Sequence, residues 1–163
     1  MVINSKIKAV TKDVLLAPLY LYQGHKVKRN TVRLPEPDGA RAGHIKLIFN
    51  HDEGHSSAKS TTANPKTLSL MIVGDSAAAG VGTLTQQEAL AGRLIPALQQ
   101  QPFITAQFDE VIWTLQATTG HTSFDILRRL YIIPTPSQLV DVMVLSVGAN
   151  DTTSNVSEAK WQQ

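Results

Sequence analysis

The chain has 163 residues, a formal charge of +2 and a hydrophobic fraction of 42%, which suits one domain with a buried core. A charged fraction of 17% is too low for a disordered chain, and the small net charge argues against a nucleic-acid partner. With no cysteine, a disulfide framework and a thiolate zinc site are both excluded.

Residues 1–43 open with an apolar, helix-like segment at 14–22 (VLLAPLYLY), behind Lys6, Lys8 and Lys12. It is short, broken by Pro18, and followed by a basic run rather than a small-residue cleavage site, so it does not read as a signal peptide. A membrane span needs roughly 20 apolar residues, and none is expected; a cytoplasmic location is. Lys26, Lys28, Arg29, Arg33 and Arg41 continue the early basic bias, which permits a loose contact with anionic lipid or a partner but reads first as a solvated face. Leu34-Pro35-Glu36-Pro37-Asp38-Gly39 is a loop by its two prolines and its Asp-Gly turn.

Residues 44–50 read as a possible short strand. The following polar stretch to Lys66 (HDEGHSSAKSTTANPK) reads as a surface linker or flap. Within it His51 and His55 stand four apart, as on a metal-binding helix. Gly54, Ser56 and Ser57 oppose a helix there and Glu53 sits one place late, so a solvated loop and no metal site are expected. The expected division is an extension over residues 1–66 and a second domain over 67–163.

From Thr67 the pattern becomes regular. Residues 68–73 (LSLMIV) are a buried strand ending in glycine, residues 84–100 a helix with a Thr85/Glu88 capping-box spacing, and residues 111–116 a second strand. A helix over 123–131 takes Ser123 as its cap, residues 140–147 (VDVMVLSV) form a third strand, and Ser157 opens another helix. Alternating apolar strands and helices predict a three-layer α/β/α parallel sheet, with the first strand between the other two. Ligands of such sheets bind at the carboxyl ends of the strands.

Chemistry-bearing residues stand at those ends. Gly74-Asp75-Ser76 after the first strand puts a serine hydroxyl on a turn among small residues, Ala77 to Gly82. It reads as a nucleophile or as a structural glycine turn; a phosphate loop is disfavoured, since the Walker lysine and the G-x-G-x-x-G spacing are both missing. Gly120 after the second strand offers a backbone N–H, and Asn150 after the third offers a side-chain amide or an Asx turn. Two sequons, at Asn150 and Asn155, carry no weight without a secretory signal.

In this order the blocks resemble the GDSL or SGNH hydrolases: Gly74-Asp75-Ser76 the first block, Gly120 the second, and Gly148-x-Asn150-Asp151 the third. Ala77 stands where the first block usually has leucine. The resemblance covers residues 67–163, and residues 23–43, with Gln23-Gly24, Leu34-Pro35 and Arg41-Ala42-Gly43, resemble the N-terminal extension of a bacterial subset. It implies a flavodoxin-like sheet, Ser76 as nucleophile, and an oxyanion hole of Ser76, Gly120 and Asn150 supported by Gly74, Asp75 and Gly148. The implied reaction is hydrolysis of a small-molecule or lipid ester, without a cofactor. The family's Asp-x-x-His block has no counterpart, for the five histidines are His25, His44, His51, His55 and His121. The sheet is therefore expected to lack its last strands, to expose an edge open to self-association, and to have little activity unless His121 serves as base. An inactive relic or binding module of the same fold, and a nucleotide- or flavin-binding sheet, are the competing readings.

Overall fold

The computed structural model describes residues 2–47, 65–136, 138–154 and 156–162. The chain divides into two compact units, Met1–Leu34 and Pro35–Gln163.

The first unit is built on a single helix, α1 (Val2–Asn30), which carries Pro18 inside it. The apolar segment at 14–22 lies within this helix, and Val14, Leu15, Leu21 and Tyr22 are exposed. No described helix is long and apolar enough to cross a membrane.

The second unit holds a four-stranded sheet of β1 (Ala42–Lys46), β2 (Thr67–Gly74), β3 (Glu110–Ala117) and β4 (Val142–Ser146), in the order β1-β3-β2-β4. β2 runs parallel to both β3 and β4, with the three expected strands in the expected arrangement. The sheet is mixed rather than wholly parallel, because β1 joins the outer side of β3 in antiparallel register. Its residues alternate between exposed and half-buried, the period-2 signature of a strand with one covered face. The possible strand at 44–50 thus forms two residues earlier. Residues 48–64, with His51, His55 and the polar linker, lie outside the described residues, as does Asn155.

β2 is buried along nearly its whole length because both of its faces are covered. Leu68, Leu70 and Ile72 pack with Val111, Leu115, Ala91 and Ile95 on one side. Met71 and Val73 pack with Ile126 on the other. Val111 and Leu115 belong to β3, whereas Ala91 and Ile95 belong to helix α3 (Leu90–Gln99) and Ile126 to helix α5 (Ser123–Ile132), which cover opposite faces of the central strand. The short helix α2 (Ser76–Ala79) follows β2 directly, and α4 (Pro102–Gln107), with Pro102 at its start, is an element the apolar pattern does not announce. The chain continues through α6 (Ala149–Thr153) and α7 (Glu158–Trp161), the latter opening after Ser157, where a helix start was expected, with no side-chain capping bond from that serine.

Two helix starts differ from expectation. α3 begins at Leu90, not near residue 84, and the Thr85/Glu88 box does not form. Gln86 is buried instead, its Nε2 donating to the Ala79 carbonyl at 2.8 Å, which holds residues 83–88 in turns. At α5 the cap is Thr122 rather than Ser123. Its hydroxyl accepts from the Asp125 N–H, while the Asp125 carboxylate accepts from the Thr122 N–H at 3.0 Å. This reciprocal box holds the Asp125 carboxyl below its ordinary value, through the Thr122 hydroxyl first and its N–H second.

β4 pairs only with β2 among the described strands, and apolar side chains on both of its faces are exposed, while Val144 packs against the core. Val142, Met143 and Leu145 are 44%, 49% and 57% exposed. The Asp141 carboxylate at its start turns back onto β2, accepting the Ser69 N–H at 2.8 Å.

Candidate active site

The carboxyl ends of β2, β3 and β4 are stitched together by backbone bonds. The Thr118 N–H donates to the Gly74 carbonyl at 3.1 Å, and the Asp75 N–H donates to the Ser146 carbonyl at 3.1 Å. The approach is close at Gly74, where a Cβ would stand 2.3 Å from the Ser146 oxygen and 2.6 Å from the Ala78 Cβ. A side chain at this position would push β4 away, so glycine follows from the packing of the two strand ends.

Asp75 is 2% exposed and caps α2, its Oδ1 accepting the Ala77 N–H at 3.0 Å. Ser76 follows as the first residue of α2 and is half-buried. Its hydroxyl forms no hydrogen bond with any described residue, and neither does its N–H. Ser76 therefore has an unclaimed oxygen and an unclaimed donor beside each other.

Asn150 supplies the cross-link between the three strand ends. Its Nδ2 donates to the His121 carbonyl at 2.9 Å and to Asp75 Oδ2 at 3.4 Å. The side chain thus reaches the residue before Ser76 and the residue after Gly120, so the segments carrying all three sequence blocks meet. The longer bond lies beyond the usual range of about 2.7–3.2 Å, which leaves that N–H the more readily redirected. Gly148, with φ of +118°, caps α6 and starts the turn that carries Asn150.

Gly120 lies in the loop between β3 and α5 with φ of +83°, a left-handed conformation that favours glycine. Nothing lies within 4 Å of where its Cβ would be, and its N–H donates to no described residue. His121 beside it makes no hydrogen bond to Ser76. Its Nδ1 is buried without a partner among the described residues.

The contacts of three further residues of this region were not foreseen from the sequence. Asp151 is 3% exposed and accepts from the Ser123 N–H at 3.0 Å and the Ser123 hydroxyl at 2.8 Å, tying α6 to the start of α5. Glu36 and Arg41 form an ion pair at 2.8 Å and reach the end of β3. Arg41 donates to the Ala117 carbonyl. Glu36 Oε1 accepts both the N–H and the hydroxyl of Thr119, each at 2.7 Å. Burial pushes the Glu36 carboxyl up, but the two Thr119 bonds, the Arg41 bond and the Arg41 charge together outweigh it and hold it below the ordinary value. An acid and a base five residues apart on a proline-stiffened loop were the available sequence signal.

Among the described residues, the Ser76 and Gly120 N–H groups and the Ser76 hydroxyl have no hydrogen-bond partner, and one of the two Asn150 amide bonds is long at 3.4 Å. Such donors suit a developing negative charge on oxygen. No family model, curated protein or solved structure matches the chain.

Proposed function

We propose that this protein is a serine ester hydrolase in which Ser76 attacks the carbonyl of a small-molecule or lipid ester. The observation that carries the reading is the Asn150 amide bridging Asp75 and the His121 carbonyl, beside a Ser76 hydroxyl that no described residue occupies. In the first step the Ser76 Oγ bonds to the ester carbon and the carbonyl electron pair moves onto oxygen. The N–H groups of Ser76 and Gly120 receive that charge, joined by the Asn150 amide when its 3.4 Å bond to Asp75 is released. Collapse of the adduct releases the alcohol with a proton and leaves acyl-Ser76, which water hydrolyses to the free acid.

The Ser76 proton must leave during attack, and no described residue accepts a hydrogen bond from that hydroxyl. The 163-residue chain should therefore acylate slowly. Binding and oxyanion donors without a working base leave about 10³ to 10⁴-fold acceleration over water. The same observation favours a second reading, a carbonyl-binding module of this fold without turnover.

Intact-mass spectrometry after incubation with p-nitrophenyl acetate separates them. Slow acetylation of Ser76, absent in Ser76→Ala and reduced in Asn150→Ala, is the expected result. Acetylation spread over surface lysines with none at Ser76 would overturn the hydrolase reading.

A further inference from the structure

Gly120 presents a problem of orientation. A donor aimed at an oxyanion must be fixed before the charge arrives, since reorientation during reaction would cost the stabilisation it supplies. Yet nothing packs against the position its Cβ would take, and its left-handed backbone is held by no side chain of its own. The direction of the Gly120 N–H is set by the peptide plane shared with Thr119. Contacts on the Thr119 N–H, in the adjacent peptide plane, therefore restrict the direction of the donor.

Thr119 is fixed from outside its own loop. Both its N–H and its hydroxyl donate to a single carboxylate oxygen of Glu36, which constrains backbone and side chain together. The other oxygen of that carboxylate is held by Arg41 at 2.8 Å, and Arg41 also donates to the carbonyl of Ala117, the last residue of β3. The clamp thus grips the loop at both residues 117 and 119. The loop's own closure, from the His121 N–H to the Thr118 carbonyl, is long at 3.4 Å. Arg129 of α5 adds a bond to the Thr118 hydroxyl at 3.0 Å. Pro35 and Pro37 flank Glu36, restricting its backbone before the contact forms.

We infer that Glu36 and Arg41 are positioning residues for oxyanion stabilisation: through Thr119 they set the direction of the Gly120 N–H toward the Ser76 hydroxyl's reaction space. The inference rests on the hydrolase reading of Ser76. It assigns a role in that chemistry to a loop that lies ahead of the strand bearing the nucleophile, and to a pair that never touches the substrate.

The test uses the full chain and phenylboronic acid, whose boron takes Ser76 Oγ and whose anionic oxygen occupies the oxyanion space. Affinity is measured by isothermal titration for the wild type, Ser76→Ala, Glu36→Gln and Thr119→Ala, each checked for cooperative unfolding. The Gly120 and Thr119 amide resonances are followed in the same samples. The expected result is Ser76-dependent binding, about tenfold weaker in Glu36→Gln, with a displaced Gly120 resonance. A role confined to stability would lower the melting temperature and leave the affinity of the folded protein unchanged. Equal affinity in folded wild type and Glu36→Gln overturns the inference while the hydrolase reading stands. Equal or absent binding in wild type and Ser76→Ala overturns the hydrolase reading, and the inference with it. If Glu36→Gln does not fold, Thr119→Ala, which removes only the hydroxyl contact, decides by the same criteria.

Discussion

Replacing Asp151 by alanine should destabilise the sheet-bearing unit by about 2–3 kcal/mol. The carboxylate is 3% exposed and takes two donors from one residue, the Ser123 N–H at 3.0 Å and the Ser123 hydroxyl at 2.8 Å. In Asp151→Ala the N–H of the first residue of α5 loses its acceptor in a site with little access to water. A stranded buried donor costs about 1–3 kcal/mol. Loss of a negative charge at a helix start adds about 0.3–1 kcal/mol. The hydroxyl can rotate toward another acceptor, and removing a buried carboxylate relieves its desolvation, so the sum falls in the middle of the range. Asp151→Asn keeps the volume and one acceptor and should cost about 1 kcal/mol, since charge-assisted bonds are roughly twice as strong as neutral ones. Urea denaturation gives the values, with midpoint shifting at constant slope. A double-mutant cycle with Ser123→Ala should return a coupling of about 1 kcal/mol. Additivity in that cycle, or a change below about 0.5 kcal/mol in Asp151→Ala, would refute the assignment of this bond as the tie between α6 and α5.

Four further outcomes can be measured on the same protein. Gly74→Ala should be severely destabilising, because its Cβ would stand 2.3 Å from the Ser146 oxygen and β4 would have to move; thermal unfolding matching the wild type would contradict this. Glu36, Glu110 and Asp125 have carboxyls held below their ordinary values of 4.5, 4.5 and 3.8. Their contribution is complete above those values and is lost as pH falls through the lower folded-state ones, so stability should drop in acid and drop less in Glu36→Gln. Parallel acid profiles for the two proteins would exclude Glu36 from that loss. The exposed β4 edge should make the chain self-associate on size-exclusion chromatography with light scattering, and Leu145→Lys should shift it toward monomer; a monodisperse wild-type monomer would show the edge to be covered. Fluorophosphonate labelling of Ser76 in this chain should be weak, and rapid labelling would mean that a base reaches it.

The central part of the sheet was legible because β2, β3 and β4 are short apolar runs whose connections permit few arrangements. That Ser76, Gly120 and Asn150 follow strand ends was legible because each comes after a short apolar run. The start of α3 was not, since the Thr85 and Glu88 spacing is a local signal and the burial of Gln86 against Ala79 is a tertiary one. Thr122 rather than Ser123 caps α5 for a similar reason: both are good caps, and Ser123 is claimed by Asp151, 28 residues away. The antiparallel sense of β1 was beyond reach, because its partner β3 follows it in sequence by more than sixty residues. The Glu36 and Arg41 clamp was hidden in the same way, on a segment whose prolines and Asp-Gly turn mark a loop but do not say what the loop holds.

The polar bonds of the candidate site span long stretches of chain: 83 residues between Glu36 and Thr119, 76 between Arg41 and Ala117, and 75 between Asp75 and Asn150. Each such closure spends backbone freedom before the bond returns anything, and topologies dominated by distant contacts fold slowly. On a growing chain Glu36 and Arg41 are made some 80 residues before the groups they hold. The Gly120 loop can take its clamped form only after β1 has docked against a β3 that did not exist when β1 was synthesised. On the proposed hydrolase reading, boronate binding at Ser76 should therefore lag behind the recovery of helix and sheet signals in refolding. A stopped-flow experiment pairing circular dichroism with boronate binding would time the gap.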